Sequence, residues 1–207
     1  MTTPAPVTIS GAVEGPADEA VLRRLVQHVG ATLGTVYGKQ GKDRLQQQLN
    51  GYNQAARYRP WVVLIDLDRD GDCVPPLLTS WLPNPAPYLC FRIAVRAIEA
   101  WLIADRERIA RFLSVSVNRV PTAPETLDSP KIELVNLARH SRRRAIREDM
   151  VPRPESGRQV GPAYTSRLIE FVEDARNGWR PDVAAAACDS LARSLRCIQR
   201  LVEAPER

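Results

Sequence analysis

Asp66, Asp68, Asp70 and Asp72 alternate along IDLDRDGD, directly behind the apolar run 61–65, WVVLI. Clustered carboxylates repel one another unless a cation neutralises them, and their hard oxygens suit Mg2+, Mn2+ or Ca2+. The spacing invites comparison with a calcium-binding EF-hand loop. That loop needs a glutamate at its twelfth position and a helix before its first. Here the twelfth position is Leu77 and the preceding run is β-type, so both requirements fail. Two readings stay open: a metal site at a strand end, or a solvated aspartate turn leading into a helix at Pro75. Three alternating acids behind a buried strand exceed what a turn needs, which favours the metal site. In that reading Asp66 and Asp68 are the central pair, Asp70 is a third ligand and Asp72 belongs to the turn.

These acids need elements to position them. A short continuous apolar run reads as a strand covered on both faces, as in a parallel sheet flanked by helices. Ligands in such sheets bind beyond the carboxyl ends of the strands. A first strand is expected over 7–13, ending at Glu14-Gly15-Pro16, with an amphipathic helix opened by Asp18 and Glu19. A second strand is expected over 32–37, a polar helix over 43–57, the third strand over 61–65, a short helix from Pro75 to Trp81 and a fourth strand over 88–95. One continuous helix is expected over 96–113, then helices over 131–140, 163–176 and 181–202, the last with a break near 188–190. If the first and third strands are neighbours, Glu14 ends up beside Asp66, with Asp18 facing the same point. The plainer alternative makes Glu14 and Asp18 helix-start acids, which the helix dipole favours in any case.

Composition narrows the classes. The chain has 207 residues and a formal net charge of +5, and only Lys39, Lys42 and Lys131 among its 29 basic residues are lysines. A basic protein with a concentrated acidic cluster has the charge pattern of a metal-dependent enzyme acting on nucleic acid. A generic basic surface fits as well, since arginine excess also follows from a GC-rich genome. Four cysteines without a CxxC pair and two histidines argue against structural zinc. No signal peptide or membrane-spanning run is evident, so a cytoplasmic protein without membrane association is expected. The segment GTVYGKQ at 34–40 misses the phosphate-binding P-loop by one residue and a hydroxyl. ATP hydrolysis is therefore not expected of this chain.

Further along, Glu99 lies beside a core-facing stripe of Ile98, Trp101, Leu102 and Ile103. A buried acid needs a partner, either a metal or an arginine such as Arg92 or Arg96. Asp105 reads as a surface residue. Lys131 either opens a helix after Pro130 or neutralises phosphate charge. The basic run Arg139–Arg147 contacts backbone phosphates, or forms a solvated face with acid partners of its own.

VEGPADE at 13–19, followed by LIDLDRD at 64–70, resembles a Toprim domain, the metal-binding fold of topoisomerases, bacterial primases and overcoming-lysogenization-defect (OLD) nucleases. RAIEAWLIADRE at 96–107, Ser129-Pro130-Lys131, GPAY at 161–164 and SLARSLRCIQRL at 190–201 resemble small bacterial Toprim-like proteins encoded beside AAA-type ATPases. The resemblance implies an α/β fold: a Toprim-like metal-binding core over 1–115, with a helical part over 116–207 packed on the same domain. It further implies a nuclease dependent on Mg2+ or Mn2+. Glu14, Asp66 and Asp68 would hold one metal, Asp18, Asp70 and Glu99 would help a second, and Lys131 would neutralise developing charge. The implied partners are nucleic acid, with DNA preferred, and an OLD-type or AAA ATPase, in defence against phage or plasmids; a homo-oligomer is compatible. Two alternatives stand beside it: a non-catalytic partner of an ATPase, and a phosphotransfer enzyme acting on nucleotides.

Overall fold

The computed structural model describes residues 5–68 and 74–203. Four strands, β1 (Thr8–Val13), β2 (Thr32–Gly38), β3 (Trp61–Asp66) and β4 (Leu89–Ala94), form one parallel sheet in the order β2-β1-β3-β4. β3 lies inside this order and every residue of it is buried, as its unbroken apolar run requires. β2, at an edge, alternates towards solvent along its second half. The fold is α/β, as the sequence leads one to expect.

Helix α1 (Pro16–His28) starts on a proline at its first position and buries Val21, Leu22, Leu25 and Val26. Helix α2 (Lys42–Ala55) buries Leu45, Leu49, Tyr52 and Asn53 along one face. Asn50-Gly51 does not break it, because its buried face is set by positions on either side of that pair. Tyr37, Tyr52 and Trp61 stack in series, with neighbouring centroids of Tyr37–Trp61 and Tyr52–Trp61 5.4 Å apart. A short helix α3 spans Val74–Trp81.

The chain divides into two compact units, Met1–Ile93 with Ala192–Arg207, and Ala94–Leu191. The first holds the sheet. The second begins with α4 (Ile98–Ala104) and α5 (Arg106–Leu113), followed by α6 (Pro130–Arg139), α7 (Arg144–Met150), α8 (Tyr164–Glu173) and α9 (Pro181–Ala185). The last helix, α10 (Asp189–Glu203), starts in the second unit and belongs to the first from Ala192 onward. Its start at Asp189 matches the expected break.

The continuous helix expected over 96–113 is instead two. Asp105 leaves the helical region at φ −81°, ψ 70° and caps α5 by accepting from the Arg108 N–H. It is not a surface residue: it is wholly buried and receives both the backbone N–H and the guanidinium of Arg180. The local pattern looked uniformly helical because the residue that ends α4 is chosen by a partner far along the chain.

Candidate metal and phosphate site

Glu14 follows the last residue of β1, and Asp66 is the last residue of β3. The strands run side by side, with Val13 paired to Leu64. That register places Glu14 beside the end of β3, and its Oε1 accepts the Asp66 backbone N–H at 2.8 Å. Two acids far apart in sequence thus meet at the carboxyl edge of the sheet. Asp66 is only 9% exposed, so its carboxyl group is largely withdrawn from bulk water.

The neighbouring edge closes over the same point. Gly38 ends β2 with φ +85°, and a Cβ there would lie 2.3 Å from the Val13 carbonyl oxygen. Only glycine allows this approach. It lets the Lys39 N–H donate to the Val13 carbonyl and the Gly41 N–H to the Glu14 carbonyl. The chain then enters α2 at Lys42, whose Nζ lies 2.6 Å from Asp68 Oδ2. Asp68 has φ +51°, a left-handed conformation that aspartate tolerates better than most residues. The Lys42 side chain is 14% exposed, against 54% for Asp68, so the ammonium is the more enclosed partner. Lys39 similarly reaches Glu19 at 3.0 Å.

Asp18 is buried in the first turn of α1, and a methyl group placed on Gly15 would sit 3.2 Å from its Oδ2. Its carboxyl group therefore lies over the start of its own helix, where the helix dipole favours a negative charge. Asp70 and Asp72 fall outside the described residues. Among the described residues, no three histidine, cysteine, aspartate or glutamate side chains gather into a group able to hold a metal ion. Glu14 and Asp66 still offer hard oxygen donors on adjacent strand ends, which fits a divalent cation in kind. Asp68 adds a third oxygen donor but is engaged by Lys42.

The second unit joins three of the motifs singled out by sequence. Glu99, 3% exposed, accepts from the Tyr164 hydroxyl at 3.2 Å through Oε1, and Lys131 Nζ lies 3.8 Å from the same oxygen. Its Oε2 is buried without a hydrogen-bond partner. Of the two kinds of partner the sequence left open, a metal or an arginine, the arginine's place is taken by a lysine and a tyrosine. Lys131 stands at the start of α6, as the Pro130 signal suggested, and is about half exposed. Tyr164 reaches Glu99 because GPAY turns tightly: a Cβ on Gly161 would meet the Asp149 carbonyl oxygen at 2.3 Å. Nearby in the same unit, Trp101 Nε1 donates to Ser190 Oγ at 2.7 Å, and the Ser190 hydroxyl donates to Glu125. In the basic run, Arg144 pairs with Glu148 and Arg147 donates to the Ser141 carbonyl, so part of that run has intramolecular partners.

Lys42 and Tyr164 were not picked out as chemical groups from sequence. Lys42 sits in a turn whose direction depends on the β2–β1 pairing. Its rarity as one of three lysines was the available signal. No known family model, curated protein or solved structure matches the chain.

Proposed function

We propose that the chain is a divalent-metal-dependent nuclease with a Toprim-like acidic site built on Glu14, Asp66 and Asp68. The observation that carries this reading is the Glu14–Asp66 contact at the carboxyl ends of two adjacent parallel strands. The Asp66 N–H holds the Glu14 carboxylate at the strand end through Oε1. Glu14, Asp66 and, once released from Lys42, Asp68 would hold the cation. Bound there, Mg2+ or Mn2+ supplies charge neutralisation at a phosphodiester and a more acidic water. Lys42 offsets the mutual repulsion of the acids and would turn to a substrate phosphate when Asp68 changes partner. The Glu99–Lys131 pair enters no step of this reading. The sequence resemblance adds a defence role beside a partner ATPase.

The test is cleavage of plasmid DNA and of RNA in Mg2+ and in Mn2+. Glu14→Gln and Asp66→Asn are each expected to lower the rate by at least ~100-fold, since even residues that only support a metal's ligands matter 10–100-fold. Circular dichroism should show both variants folded. A wild-type chain inactive on both polymers in both metals, or variants as active as wild type, overturns the reading.

The Lys42–Asp68 ion pair favours one other reading, a binding protein whose acids are structural and already neutralised by lysine. It requires Lys42→Ala to lower the melting temperature with or without metal. The nuclease reading requires added Mn2+ to raise the melting temperature of wild type and not of Asp66→Asn.

A further inference from the structure

The polar side of α10 carries Arg193, Arg196 and Arg200, all exposed, at helical spacings that put them in one stripe. The opposite side of the helix buries Leu191, Ser194, Cys197, Ile198 and Leu201. In the first unit this stripe faces a cavity of about 660 Å³ whose other walls include His28, at the end of α1, and Arg92, on β4. His28 precedes the start of β2, so the cavity lies towards the amino-terminal edge of the sheet, away from Glu14 and Asp66.

The charges here are poorly offset. Four guanidinium groups line the cavity, with Glu203 as its carboxylate. Glu203 accepts from Gln199 at 2.9 Å. Among the described residues, no carboxylate forms an ion pair with Arg92, Arg196 or Arg200. Arg167 and Arg180, by contrast, are each held by two carboxylates, Arg167 by Asp149 and Glu170 and Arg180 by Asp105 and Glu107. Arg92 hydrogen-bonds to the thiols of Cys90 and Cys197, and its Nε is buried with no partner. Even with Arg193 set aside, Arg92, Arg196 and Arg200 outnumber one thiolate at Cys197 and one carboxylate at Glu203, so the walls stay net positive. Like charges gathered around a concave surface raise the local concentration of anions. Planar guanidinium groups match phosphate oxygens two at a time. The volume is in the range of small-molecule sites.

We propose that this arginine-lined cavity is a binding site for a phosphate-bearing ligand, separate from the acidic site at the other edge of the sheet. The phosphate comes either from a free nucleotide-sized anion or from a nucleic-acid backbone, and the two sources recruit the same guanidinium groups.

The test uses the full chain in EDTA, so that metal binding plays no part. Inorganic pyrophosphate and a short single-stranded oligodeoxynucleotide are titrated separately by calorimetry. The double variant Arg196→Ala/Arg200→Ala removes exposed side chains and should fold normally. Arg142→Ala/Arg143→Ala, on the exposed basic run of the second unit, removes the same charge elsewhere. Binding of at least one probe should weaken by about tenfold or more in the α10 variant, in line with lost charge-assisted hydrogen bonds, and by less than about twofold in the control. Loss of pyrophosphate binding identifies a small anion as the source; loss confined to the oligonucleotide identifies backbone phosphate. Glu14→Gln should bind as wild type does, so failure of the nuclease reading leaves this result intact. No binding of either probe, or equal losses in the two double variants, overturns the proposal.

Discussion

Cys197 shows how much one side chain's chemistry depends on its neighbours. Its thiol is lowered to about 6, first by the hydrogen bond from Cys90 and then by the Arg92 and Arg200 guanidinium groups, against the opposing effect of burial. Cys90 keeps its proton, held well above the usual thiol range by its own burial and by Cys197. The pair therefore shares one proton, carried by Cys90. Thiolate ultraviolet absorbance of the folded protein should show a wave near pH 6, against about 8.5 for the unfolded chain. Cys197→Ser should remove that wave. A folded pKa below the unfolded value stabilises the fold in full above about pH 8.5, and this contribution fades as pH falls through about 6. A thiolate wave appearing only above pH 8 would show that Arg92 and Arg200 do not support the charge. Cys188 is the opposite case: burial, with Glu125 nearby, raises its thiol, which points at the Ala100 carbonyl.

At the scale of elements, Asp105 decides where α4 stops and α5 starts. It caps α5, receives three hydrogen bonds from Arg180 and is wholly buried. Arg180 is held above its ordinary range, chiefly by hydrogen bonding to Asp105. Asp105→Ala should destabilise the protein by about 3 kcal/mol, combining a lost cap with a charged partner left unpaired. The cost stays below that of a fully buried pair because Arg180 keeps part of its side chain in water. Urea denaturation measures it. A loss under about 1 kcal/mol, the scale of an exposed ion pair, would mean that the two helices are set by packing alone. Asp105→Asn should recover part of the loss by keeping the cap.

For the whole molecule, the net charge of +5 is spread unevenly. Acids gather at the carboxyl edge of the sheet, while the α10 stripe and the 139–147 run are basic. Under the nuclease reading, affinity for duplex DNA should fall linearly on a log–log plot against salt, with each phosphate contact adding about 0.9 to the slope. Replacing Arg193, Arg196 and Arg200 by alanine should make the slope shallower by up to ~2.7 if all three touch phosphates. An unchanged slope would place the duplex elsewhere on the surface. No described helix is long and apolar enough to cross a membrane.

Much of the architecture was legible because its signals are local. The apolar run 61–65 could only be satisfied by cover on both faces, so β3 had to lie inside a sheet. Pro16, Pro130 and Pro181 each open a helix within its first two positions, and Asp189 restarts the last one. Glu14 and Asp66 were legible as strand-end acids, and their meeting required only that β1 and β3 be neighbours. Partnership was a different matter. Nothing near Asp68 in the chain names Lys42, and nothing near Glu99 names Lys131 and Tyr164. Asp105 looked exposed because Arg180 is remote in sequence. Residue type and periodicity by themselves determined the strands, most of the helices and the acids at the sheet edge, since these depend on neighbours a few residues away. Only the tertiary structure decided which charges are neutralised and which are left facing a cavity, because that depends on groups that distant segments bring within bonding distance.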